Sequence, residues 1–148
     1  MKIIIKGWIE IDKWEGFAEI NDLPIHRQLN REIELLGVNT KNSYSCNERN
    51  EWNQNVNSLV ENVFIKLHVS DKEMTLEEAN DKLILASIGE LDIFETWYGY
   101  SEYTIEGYEL ESFKLKGNQG EHDLEKILLD YVGKYLIMEV EIRDFYNF

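Results

Sequence analysis

Thr75-Leu-Glu-Glu-Ala-Asn-Asp-Lys-Leu-Ile-Leu-Ala-Ser-Ile-Gly89 is the stretch on which the fold class turns. Thr75 followed three residues later by Glu78 has the form of a capping box, in which hydroxyl and carboxylate each satisfy a backbone N–H left unpaired at a helix start. Leu76, Ala79, Leu83 and Ala86 then recur at helical spacing, and Gly89 supplies a stop. This reading places a helix in the middle of the chain, with strands on both sides of it.

Upstream, Ile3, Ile5, Ile9 and Ile11 share one parity with Gly7, while Lys6, Trp8, Glu10 and Asp12 share the other, the period of a half-buried strand. A turn at 13–16 returns the chain into a short strand at 17–20. Pro24 then opens a first helix along Ile25, Leu29, Ile33 and Leu36, which ends at Gly37. Residues 39–58 lose all periodicity and hold seven asparagines, reading as a long loop in which Tyr44 and Trp52 are aromatic anchors. Val63, Ile65, Leu67 and Val69 mark the strand that leads into Thr75.

Downstream of Gly89, strands are expected at 91–98, 101–106 and 108–116, broken at Gly99 and Gly107. A third helix at 123–132 is capped by Asp123 and stopped by Gly133, and Leu136, Met138, Val140 and Ile142 form the apolar row of a last strand. The expectation is a single α+β domain over residues 1–148, with about seven mainly antiparallel strands and three helices.

Charge narrows the function. Residues 71–148 carry 19 Asp/Glu against 7 Lys/Arg, residues 1–70 carry 10 against 8, and the net charge is -14. Residues 90–111 hold Glu90, Asp92, Glu95, Glu102, Glu106, Glu109 and Glu111 and no basic residue. Strand parity puts Glu102 and Glu106 opposite Tyr103 and Ile105, and Glu109 and Glu111 opposite Tyr108 and Leu110. Carboxylates would then line solvent faces in rows spaced by roughly 6.6 Å. Such a surface repels nucleic acid and anionic membrane and attracts basic proteins, and its spacing resembles a strand of phosphates. In the aromatic cluster Phe94, Trp97, Tyr98, Tyr100, Tyr103, Tyr108 and Phe113, most rings read as packing. Trp97, Tyr98 and Tyr100 flank Gly99 at a strand break and could anchor a partner.

Catalytic patterns are sparse. His26, His68 and His122 lack close His or Cys companions, so no zinc site follows. His68-Val-Ser70 looks like one half of a paired phosphoesterase motif whose second half is absent, which leaves His68 as a solvent-facing strand residue. In Glu121-His122-Asp123, Asp123 is taken up as a helix cap. Cys46 cannot form an internal disulfide and has no base beside it. No cofactor or metal is implied, and a cytoplasmic protein without membrane association is expected.

The segment Gly99-Tyr-Ser-Glu-Tyr-Thr-Ile-Glu-Gly107 followed by His122-Asp-Leu-Glu-Lys-Ile-Leu-Leu-Asp-Tyr-Val-Gly-Lys-Tyr135 resembles small acidic proteins carried in prophages of Gram-positive bacteria. In size and concentrated acidity the chain is also similar to phage inhibitors that imitate DNA, the anti-CRISPR and anti-restriction proteins. The resemblance implies a non-enzymatic inhibitor of a host defence nuclease. Its partner-binding set would be Glu90, Asp92, Glu95, Trp97, Tyr98, Tyr100, Glu102, Glu106, Glu109 and Glu111. An immunity protein that neutralises a basic toxin, a sponge for a nucleotide signal built on Lys41, Arg49, Lys66 and His68, and a small hydrolase are the alternatives.

Overall fold

The computed structural model describes residues 1–37, 55–98, 107–117 and 120–143. Nine strands and two α-helices are found among them, so the chain is mainly β rather than α+β. In chain order these are β1 (Lys2–Trp8), β2 (Glu10–Ile11), β3 (Ala18–Ile20), β4 (Leu23–Pro24), α1 (Ile25–Leu35), β5 (Asn55–Ser70), β6 (Leu83–Tyr98), β7 (Gly107–Gly117), β8 (Gly120–Asp123), α2 (Leu124–Leu129) and β9 (Tyr135–Ile142). Six strands form an antiparallel sheet in the order β1-β9-β5-β6-β7-β8, and β2-β3-β4 form a small second sheet.

The middle helix is the main correction. Its capping box exists: the Thr75 N–H donates to Glu78 Oε1 at 2.9 Å and the Glu78 N–H to Thr75 Oγ1 at 3.3 Å. The turn it starts is a single 3-10 segment, Glu78–Lys82, and the chain is extended from Leu83 onward. The proposed helical face could not have been buried as a unit, because Ala79 is inside while Leu76 and Leu83 lie on the surface. Pairing with β5, from Leu83 opposite His68 to Thr96 opposite Asn55, satisfies the backbone of the whole stretch instead. Gly89 therefore ends nothing. It sits in the β6–β7 ladder opposite Gly117, where a Cβ would fall 2.2 Å from the Lys116 carbonyl oxygen.

The alternating apolar residues of the large sheet, among them Ile5, Ile65, Leu67, Ile93, Phe113 and Met138, meet Ile25, Leu29 and Ile33 of α1 and Leu124 and Leu128 of α2 in one core. Gly7 lets β1 approach the small sheet, since a Cβ there would lie 2.4 Å from Ile20 Cγ2. A bulge between Val60 and Val63 has Asn62 in the left-handed region, so that both valines stay inside although they are three positions apart. The opposite face is covered in part by residues 74–79, where Met74 and Ala79 pack on Tyr135 and Ile137.

The remaining expectations divide. Pro24 is the N-cap of α1 rather than its first residue, and Ile11, assigned to the apolar row, is exposed. Asp123 caps α2 through the Lys126 N–H at 3.2 Å, but the helix stops at Leu129. The Asn-rich loop gives way to β5 at Asn55, with residues 38–54 outside the described set, as is the strand expected at 101–106.

Candidate functional site

Behind any surface site lies a buried ionic network. The first turn of α1 carries His26 and Arg27 toward β6, where Glu95 is fully buried. Arg27 grips the Glu95 carboxylate with both arms, Nε to Oε1 at 2.8 Å and Nη2 to Oε2 at 2.6 Å. His26 Nε2 stands 2.9 Å from the same Oε1. His26 Nδ1 is buried without a partner among the described residues, which suits a neutral ring donating from Nε2. The guanidinium carbon lies 4.8 Å from the Tyr108 ring centroid and 5.6 Å from that of Phe17, and the hydrogen bonds that Arg27 donates to Glu95 raise its pKa. With His26 and Glu95 fully buried and Arg27 only partly exposed, this triad holds helix to sheet.

His68 is likewise buried, not solvent-facing as its sequence context suggests. Its Nδ1 is 2.8 Å from the Ala79 carbonyl and its Nε2 2.7 Å from Glu139 Oε2. Both partners are acceptors, so the geometry fits an imidazolium facing a carboxylate. Burial would raise the Glu139 pKa, but the hydrogen bonds from Lys2 and His68 together hold it below the usual carboxylate value. His68 thus fastens residues 74–79 to the sheet and leaves no ring nitrogen for phosphate chemistry.

The expected anionic row is broken. Asp92 and Glu95 are buried, Glu90 is half-buried, and Glu109 and Glu111 are exposed on β7 as their parity requires. The backbones of Trp97 and Tyr98 pair with Tyr108 and Gly107 at the end of β6, and Tyr100, Glu102 and Glu106 lie outside the described residues.

A second acidic surface, not weighed from the sequence, sits on the small sheet. Glu10 pairs directly with Glu19 across β2 and β3, and the carboxylates of Glu10, Glu19 and Asp22 come within 4.8 Å of one another. Burial, then repulsion from Asp12, Asp22 and Glu10, raises the Glu19 pKa. Three such oxygen ligands are half of what a hard cation takes, so these groups are better read as a dense patch of negative potential. The turn between the strands is tied by Asp12, whose carboxylate accepts from the N–H groups of Trp14 at 3.1 Å and Glu15 at 3.2 Å. It holds Trp14 in solvent, 91% exposed. The available signal was position: an indole inside a turn, two residues before Gly16, has no strand face to pack on.

The two acidic regions meet at Glu125. Its Oε2 accepts from the Ala18 N–H of β3 at 2.8 Å, joining the small sheet to α2. Burial, against the opposing Ala18 hydrogen bond and helped by Asp123 and Glu95, pushes its carboxyl up to about 7. Glu125 also lines an open pocket of about 560 Å³ between β7, β8 and α2, walled by Leu110, Phe113 and Leu129. Glu111, Ser112, Lys114, Glu121, Asp123 and Lys126 complete the lining.

Among the described residues no helix is long and apolar enough to cross a membrane. Comparison with protein-family models, with curated proteins and with solved structures gives no match.

Proposed function

We propose that this chain is a non-enzymatic binding protein whose acidic surface occupies the basic nucleic-acid-binding face of a protein partner, as an inhibitor of a nuclease would. The observation that carries the reading is Trp14, 91% exposed at the tip of a hairpin that bears Glu10, Asp12, Glu15 and Glu19. Water-exposed indoles are disfavoured, and Trp is among the residues most enriched as interface anchors. Carboxylates around such an anchor select a cationic partner, because opposite potentials speed encounter and like charges exclude wrong partners. Glu109 and Glu111 on β7 and Glu121 and Asp123 on β8 extend the same sign beyond the hairpin.

The test is capture of bacterial lysate proteins on the immobilised chain, followed by elution with duplex DNA. The reading expects DNA to displace a basic nucleic-acid-binding protein, and Trp14→Ala and Glu15→Lys/Glu19→Lys variants to lose that protein while keeping the wild-type melting temperature. Capture that survives both DNA and these substitutions would contradict it.

A further inference from the structure

We propose that the pocket between β7, β8 and α2 receives a guanidinium group, the arginine side chain of the partner. This rests on the reading of the acidic surface as a docking face and gives that face a defined anchoring point. Two lining residues carry buried polar atoms without a hydrogen-bond partner among the described residues, Glu125 Oε1 and Ser112 Oγ. Buried polar atoms are normally satisfied, so two orphans at one pocket mark where a donor-bearing ligand belongs. Glu125 Oε2 is already used by Ala18, which fixes the carboxyl group and leaves Oε1 as the acceptor once the group is ionised.

The surroundings choose the donor. Glu111, Glu121, Asp123 and Glu125 outnumber Lys114 and Lys126, and Lys114 is engaged by Glu121 at 2.7 Å. An anion is therefore disfavoured. A metal ion is also a poor fit: among the described residues, Glu10, Glu19 and Asp22 form the only group of three or more potential ligands within 4.8 Å of one another, and none of these lines the pocket. An organic cation with an apolar stem fits both features, its stem against Leu110, Phe113 and Leu129. Between the two basic side chains, the planar five-donor fork of arginine can serve a carboxylate and a hydroxyl together, whereas an ammonium is a compact, strongly hydrated point charge.

The probe is N-acetyl-L-arginine amide, titrated into the full isotope-labelled chain and followed by amide shifts, with the neutral citrulline analogue as control. The proposal expects saturable shifts centred on Ser112, Glu125 and Leu129, binding at least tenfold weaker for the citrulline analogue, and at least fivefold weakening in Ser112→Ala and in Glu125→Gln. Glu125→Gln keeps an acceptor for Ala18, so loss of binding in a variant whose amide spectrum away from the pocket matches wild type reports the pocket rather than the fold. Absence of saturable shifts, or equal binding by the citrulline analogue, would overturn the pocket assignment and leave the docking reading standing. Arginine binding with capture of the DNA-displaced protein unaffected by Glu125→Gln would overturn the partner's use of this pocket. If wild-type chain captures no such protein, the docking reading itself fails.

Discussion

Arg27 on α1 and Glu95 on β6 stand 68 positions apart and are joined through two hydrogen bonds of 2.8 and 2.6 Å, with the carboxylate fully buried. A carboxylate in that position is structural. Glu95→Gln should destabilise the fold by about 3–5 kcal/mol, because Arg27 would keep its charge and lose its counter-charge. Urea unfolding measures this. Glu109→Lys and Glu111→Lys, on the exposed parity of β7, should shift stability by less than about 0.5 kcal/mol. A Glu95→Gln variant as stable as wild type would return Glu95 to the surface set.

Gly89→Ala tests the strand reading of the stretch after Thr75. As a helix stop, Gly89 would lose about 1 kcal/mol to alanine through its left-handed backbone alone. In the β6–β7 ladder, the added methyl meets the Lys116 carbonyl oxygen at 2.2 Å and the Gly117 Cα at 2.8 Å, all backbone that cannot swing away. A loss of about 1–3 kcal/mol is expected, read as a lower urea midpoint with unchanged slope.

Glu125 ties stability to pH. Its carboxyl is raised from 4.5 to about 7 on folding. Between those values the folded chain holds a proton that the unfolded chain has released. The contribution is therefore complete below pH 4.5 and lost as pH rises through 7, about 3 kcal/mol in all at about 1.4 kcal/mol per pH unit. The stability difference between wild type and Glu125→Gln should shift in favour of the variant by that amount between pH 4.5 and pH 8. A difference independent of pH would show that Glu125 ionises freely.

Where periodicity and burial coincide, the sequence is legible. The alternation of Ile3 and Ile5, the Ile25-Leu29-Ile33 stripe, the Asp123 cap and the Leu136 to Ile142 row all correspond to observed elements. The error at 75–89 arose because a real capping box stabilises only its own turn, while the fate of Leu83 to Ile88 is decided by a strand partner 15 to 24 residues away in sequence, from His68 opposite Leu83 to Phe64 opposite Ile88. Glu95 shows a different failure. A charge count assigns it to the surface, yet Leu91, Ile93 and Glu95 share one parity, and all three are buried. His68 could not be placed from its strand alone, because the residues that cover it, 74–79, cross the sheet only in the folded chain.

The central claim is that opposite charge brings the partner to this surface. The most direct measurement is the association rate constant with the captured basic protein at about 0.05 M and about 0.5 M salt, bracketing the roughly 10 Å screening length at 0.1 M. The account predicts a fall of more than about tenfold across that range, with most of the dependence removed in the Glu15→Lys/Glu19→Lys variant. A rate constant unchanged by salt, or one equally salt-dependent in that variant, would contradict it.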